Sequence, residues 1–226
     1  MKDNLSAYNA NDYDNHINSV LPYYQEFHTQ IIDLIRALNN NNNNNIQWLD
    51  TGCGTGTLAE KIMKNFSNIN LTLCDPSEKM LAITKQKLNK YNNIKFVNVS
   101  TQDMQFENEF DVITAVQSHH YLTMENRTKA TQNCYHALKE NGIYITFENI
   151  KLSSDTSDKI AQKRYENFLK SNKKTENEII SHLARRNSEF FPITIEQHIN
   201  LLKNCGFKTV DILWASYWQA GFFVLK

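Results

Sequence analysis

The chain has 226 residues, 41% hydrophobic and 21% charged, which suits one compact α/β domain with a small lid and excludes a disordered chain. Its 24 Lys and Arg balance 24 Asp and Glu, so no global field draws it to nucleic acid or to an anionic membrane, and Lys170, Lys173 and Lys174 read as a solvated helix face. No apolar run approaches the roughly 20 residues of a membrane span, and the polar start, Met1 to Ser6, predicts no signal peptide.

Residues 1–38 predict helices, with Leu21, Tyr24, Phe27, Ile31, Leu34, Ile35 and Leu38 at helical spacing and Pro22 in a first turn. The asparagine run 39–45 predicts a loop or linker. Strands are expected at 46–50, 70–74, 94–99, 110–116 and 143–148, separated by helices at 57–66, 77–91 and 125–139, the last stopped by Asn141-Gly142. This rhythm predicts a mostly parallel sheet covered on both faces. Residues 153–190 break it and predict a helical insertion over the open end of the sheet. A helix at 195–205, ended by Gly206, leads into a hairpin of strands 207–214 and 221–225. The expected organisation is a helical cap and Asn-rich linker (1–45), a ligand-binding core (46–150), a lid (151–205) and a hairpin completing the sheet (206–226). Cys53, Cys74, Cys134 and Cys205 are too scattered for a zinc site or a disulfide framework, so no metal is expected and reduced thiols in the cytoplasm are.

The strongest motif is Leu49-Asp50-Thr51-Gly52-Cys53-Gly54-Thr55-Gly56-Thr57, between a predicted strand and a predicted helix. Glycines let the backbone turn sharply and approach a ligand, and the following helix start offers free N–H groups. A dinucleotide fingerprint is G-x-G-x-x-G; the spacing here is G-x-G-x-G behind an acid, Asp50, that can accept from an amino group. Asp75-Pro76 ends the second strand about 20 residues on, where a carboxylate can accept both hydroxyl protons of a ribose. Met80 follows one turn later, against an adenine or in the core. After the third strand, Asp103 can accept from an adenine amino group while Met104 offers its backbone N–H.

These fragments resemble the class I S-adenosylmethionine-dependent methyltransferases. Phe110 to Val116 and Leu138 to Thr146 extend the resemblance, which spans roughly residues 8–150. It implies a Rossmann-like, seven-stranded, mostly parallel sheet with a reversed last strand and helices on both faces. The implied cofactor is S-adenosyl-L-methionine, held by Asp50, Thr51, Gly52, Cys53, Gly54, Gly56, Asp75, Pro76, Met80, Asp103 and Met104. Tyr13 belongs to an N-terminal segment that commonly closes over the cofactor in this fold.

The ends carry a narrower resemblance to the carboxy-S-adenosylmethionine synthases: Leu21-Pro22-Tyr23-Tyr24, Thr194 to His198, Gly206-Phe207, Trp214 and Gly221-Phe222. It implies that Tyr24 contacts the cofactor, that Val116 or Gln117 takes the place of a polar residue after the fourth strand, and that Arg185 or Arg186 faces a carboxylate of a modified cofactor. It also implies a homodimer through the lid. Gly54 stands where that group usually has Ser, so ordinary methyl transfer to a small or medium-sized acceptor is the leading expectation. Carboxy-S-adenosylmethionine synthesis, a non-catalytic cofactor sensor, an RNA-modifying enzyme and a nicotinamide oxidoreductase are the alternatives. Methyl transfer needs alignment and, for a protonated acceptor, a base. His119 and His120, after the fourth strand, are the candidates, with His120 favoured.

Overall fold

A computed structural model describes residues 4–38 and 45–226. Apart from Asn45, the asparagine run expected to form a linker lies outside the described residues. Five strands, β1 (Ile46–Thr51), β2 (Ile69–Cys74), β3 (Ile94–Val97), β4 (Phe110–Val116) and β5 (Leu138–Lys151), run parallel. β7 (Thr209–Ser216) and β8 (Gln219–Leu225) form the terminal hairpin, and β8 pairs antiparallel with β5. The order is β3-β2-β1-β4-β5-β8-β7. The sheet is the α/β, Rossmann-like arrangement with a reversed last strand expected from the sequence.

Helices cover both faces because the inner strands are apolar on both sides. On one face, Phe27, Ile31 and Ile35 of α2 (Tyr24–Leu38) and Leu58 and Ile62 of α3 (Thr57–Asn65) pack with Trp48, Leu71, Ile145 and Phe147, joined by Leu81 of α4 (Glu78–Lys87). On the other face, Cys134 and Ala137 of α5 (Met124–Ala137) and Leu202 of α8 (Ile195–Asn204) pack with Leu49, Ile113, Tyr144 and Phe222. β1 lies between β2 and β4, so the chain turns in opposite directions on its two sides. The C-terminal ends of these strands form the crevice where open α/β sheets bind ligands.

Three expectations need correction. Asn141-Gly142 does not stop α5, which ends at Ala137; the pair sits inside the long β5, where the register against β4 slips between Phe110–Leu138 and Val112–Ile143 and Asn141 takes φ 64°. The turn chemistry serves a bend in a strand. Pro22 precedes α2 rather than opening it, because Tyr23 at φ 60° breaks the chain between α1 (Tyr13–Val20) and α2. A short strand β6 (Ile193–Thr194), not expected, pairs with the end of β5.

The insertion forms α6 (Asp155–Ser171) and α7 (Glu176–Ala184), started by Ser154 and by a Thr175–Glu178 capping box. Tyr165 Oη donates to Val20 O at 2.8 Å, and Trp218 Nε1 donates to Asp158 at 2.9 Å. The lid is thus tied to the N-terminal helices and to the hairpin turn. Among the described residues no helix is long and apolar enough to cross a membrane.

Candidate functional site

The glycine loop leaves β1 at the crevice. Gly52 takes φ 67°, and a Cβ there would stand 2.5 Å from Ser118 Cβ, a contact no side chain survives. Gly54 takes φ 55°, and a Cβ there would meet nothing within 4 Å, so the loop turns a bare face to open space. That space is a cavity of about 490 Å³ bounded by Gly52, Gly54, Asp75, Pro76, Met80, Gln102, Val116 and Gln117 and roofed by Asn4 to Ser6, Tyr13 and Tyr121.

Asp75 fixes the loop to β2. Its Oδ2 accepts from Gly54 N at 2.9 Å and its Oδ1 from Ser77 N at 2.8 Å. Burial raises its pKa, and the two N–H donors pull the other way. Each oxygen keeps a lone pair for a ligand. An open backbone face opposite an anchored carboxylate suits an amino-acid nucleoside.

Several expected contacts fall elsewhere. Asp50 is buried beneath the loop and accepts from Thr114 Oγ1 at 2.7 Å, with burial and then Asp75 raising its pKa to about 7. Thr51 bonds Thr101 at 2.6 Å in the interior, Cys53 belongs to the first apolar core, and Gly56 begins α3 against Thr84. Asp103 points to solvent toward Ser100 and Lys129, and the neighbouring Gln102 borders the cavity in its place. Met104 is core, and its N–H donates to Ser100 O at 3.1 Å, so it is not free for an adenine. Tyr24 is buried against Tyr13 and Thr57 and borders neither cavity.

A second cavity, about 90 Å³, lies next to the first under the lid. Ser6, Tyr13, Gln117 and Tyr121 border both, so the two spaces meet there. Gln117, at φ 55°, is held by its amide to Gln219 Oε1 at 2.8 Å. A left-handed glutamine is uncommon and marks a constrained position. Arg185 and Arg186 both border the smaller cavity. Arg186 is spoken for by Asn149 Oδ1 (2.7 Å), Asp158 (3.2 Å) and the face of Trp218, whereas Arg185 bonds Glu189 (2.8 Å), Leu5 O (3.0 Å) and Tyr121.

The histidines separate. His119 borders the larger cavity, but its ring Nδ1 meets Tyr144 Oη at 3.2 Å, and burial lowers its pKa to about 4. His120 borders the smaller cavity, and its Nδ1 stands 3.0 Å from Glu148 Oε2. Glu148 and Tyr165 were not singled out from the sequence, whereas Tyr121 and Tyr8, in the Ser6–Tyr8 strap, lie in the segments expected to line or close the site. Glu148 had a readable signal: it is an acid ending an apolar strand on the same sheet edge, as Asp75 is. Among the described residues no group of His, Cys, Asp and Glu is arranged to hold a metal.

Residues 49–142 match the family model of the methyltransferase domain. With the sheet order and the glycine loop, this supports a class I S-adenosylmethionine-dependent methyltransferase. Its similarity extends to the carboxy-S-adenosyl-L-methionine synthases. That of Staphylococcus epidermidis is 28% identical over 211 residues, covering 91% of this chain and 89% of the relative, and that of Nautilia profundicola is 25% identical over 206 residues, covering 91% and 86%. Among solved structures, a candidate S-adenosyl-L-methionine-dependent methyltransferase of Methanococcus maripaludis aligns over 100% of this chain and 94% of its own, with TM-score 0.65 and 18% identity. Phosphoethanolamine N-methyltransferase 2 of Haemonchus contortus, in complex with phosphomonomethylethanolamine and S-adenosylhomocysteine, aligns over 81% of this chain and 38% of its own, with TM-score 0.57 and 17% identity.

Proposed function

We propose that the chain holds S-adenosyl-L-methionine in the larger cavity and transfers its methyl group to a small molecule in the smaller one. The observation that carries this reading is the junction of the two cavities at Ser6, Tyr13, Gln117 and Tyr121. A donor lying along the glycine loop, with its ribose at Asp75, presents its sulfonium toward that junction. Burial under the strap and lid excludes water, which favours in-line displacement by a positioned acceptor. The smaller cavity suits a compact acceptor rather than a nucleic acid strand, and the balanced charge agrees. A cytoplasmic location is supported by four free, buried thiols.

The second reading is synthesis of carboxy-S-adenosyl-L-methionine. It is favoured by the named relatives, which match along nine-tenths of the chain, and by two arginines beside the smaller cavity. Native mass spectrometry of the purified protein tests both. Co-purified S-adenosylmethionine or its demethylated product supports the first, a cofactor heavier by one carboxyl group supports the second, and failure to bind either at millimolar concentration removes both. Binding without turnover across a broad acceptor panel would identify a sensor.

A further inference from the structure

The smaller cavity has one wall whose chemistry is not explained by binding alone. Glu148, in the C-terminal part of β5, is 1% exposed. Its Oε1 accepts from Thr146 Oγ1 at 2.7 Å and from His119 N at 3.3 Å, and its Oε2 accepts from His120 N at 2.8 Å. Three donors on a buried carboxylate hold it ionised. Burial opposes the charge, yet the hydrogen bond and proximity of His120, with His119 and His198 nearby, keep its pKa down at about 2. An ionised carboxylate only accepts, so His120 Nδ1, 3.0 Å from Oε2, carries the proton, and this shorter contact prevails over the 3.4 Å approach of Asn149 N to the same atom. The lone pair is then on Nε2. No described group bonds Nε2, and His120 borders the smaller cavity. The rings of Tyr121 and Phe190 pack against the His120 ring, with centroids 4.4 and 5.6 Å away.

We propose that His120 is the proton acceptor of the transfer and Glu148 its positioning residue, so that the acceptor molecule is methylated at a group carrying a dissociable proton: a hydroxyl, phenol, thiol or protonated amine. This rests on the methyl-transfer reading. His120 Nε2 takes the proton from the acceptor heteroatom, whose electron pair forms the new bond to the methyl carbon. The carbon–sulfur bond breaks with its pair left on sulfur, giving a neutral thioether. The positive charge passes from sulfonium to imidazolium, where Glu148 stabilises it. An acceptor with a free lone pair would need no such pair of residues.

Ring-nitrogen NMR of the ¹⁵N-labelled full chain, saturated with S-adenosylhomocysteine, tests this at pH 7.5, with His120 assigned from the His120→Gln spectrum. Titrating groups around the ring are Glu148, His119, His198, Arg127, Arg185 and Tyr121, so the tautomer rather than a midpoint is the primary readout. The expected result is a protonated Nδ1 and a bare Nε2. A proton on Nε2, or a ring doubly protonated at that pH, overturns the assignment, and this reading needs no variant of Glu148. In Glu148→Gln the preference for Nδ1–H is expected to weaken, and in Glu148→Asp to return in part; a Glu148→Gln spectrum unchanged from wild type also overturns it. Calorimetry with S-adenosylhomocysteine on the same samples separates the failures, since absent binding sinks the methyl-transfer reading while binding with the wrong tautomer sinks only the pair.

Discussion

Asp14 Oδ1, in α1, accepts from Thr55 Oγ1 of the glycine loop at 2.6 Å, while its Oδ2 accepts from Lys87 Nζ of α4 at 2.7 Å. The helix whose preceding turn delivers the strap, and whose Tyr13 borders both cavities, is therefore fastened to the loop that faces the larger one. On the lid side, Leu5 O, just before the strap, accepts from Arg185, and Tyr8 Oη lies 3.3 Å from His182 Nε2, so the N-terminal segment spans loop and lid.

Removing that fastening should be felt by the ligand. Asp14→Ala is expected to weaken S-adenosylhomocysteine binding about five- to tenfold, on the order of 1 kcal/mol for the lost hydrogen bonds. Lys87→Ala, which removes only a partly exposed ion pair, should change it less than threefold. Isothermal calorimetry on the three proteins checks the order.

Asp75→Ala removes the carboxylate expected to hold the ribose and also frees the Gly54 and Ser77 N–H groups. Affinity for S-adenosylhomocysteine should fall by about ten- to a hundredfold, on the scale of hydrogen bonds to a charged group. Unchanged affinity with an intact circular dichroism spectrum would remove the ribose assignment.

Gly52→Ala combines a left-handed backbone with a Cβ 2.5 Å from Ser118 Cβ. A cost of about 2 kcal/mol is expected, lowering the melting temperature by roughly 4–8 °C in a chain of this size. Gly54→Ala shares the backbone cost but meets no protein atom, so its larger effect should be on cofactor affinity. Thermal melts and calorimetry on the pair separate the two.

Acid should unfold the chain through its buried histidines. Burial lowers the pKa of His28 to about 3 and of His119 and His198 to about 4, all below the ordinary 6.5. In that window the unfolded state binds protons that the native state does not, so stability is full above pH 6.5 and falls as pH drops toward 4. Asp50, raised to about 7, has the opposite sign: its contribution is full below pH 4 and is lost as pH rises through 7. Near pH 5 the net slope should be up to about 3 kcal/mol per pH unit, positive with pH. Urea unfolding from pH 4.5 to 8.5 measures it, and Asp50→Asn should steepen the rise between pH 4 and 7 by removing the carboxylate's opposing loss over that range.

The sheet was legible in the sequence because its strands are apolar on both faces and glycine, Asp75-Pro76 and Gly206 punctuate them. Asn141-Gly142 misled because the same left-handed preference that ends helices also bends strands, and only the pairing of Leu138 with Phe110 decides between them. Of the site, Gly52, Gly54, Asp75, Met80 and Gln117 were visible as loops following strands on one edge. Asp50 and Asp103 read as equally well placed, yet one side chain turns inward to Thr114 and the other outward to Lys129, directions that a linear spacing does not encode. The anchoring of Tyr165 and the partner of His120 depend on contacts between segments more than 25 residues apart, which no local pattern announces.

The near-touch of position 52 and Ser118 ties together two loops that sit 66 residues apart in the chain. A hybrid built by transplanting the segment around His119 and His120 from a relative, to change which molecules are accepted, inherits a size limit at position 118. Anything bulkier than serine there would push the first crossover turn away from the nucleoside, and such a graft would lose its donor before its new preference could be seen.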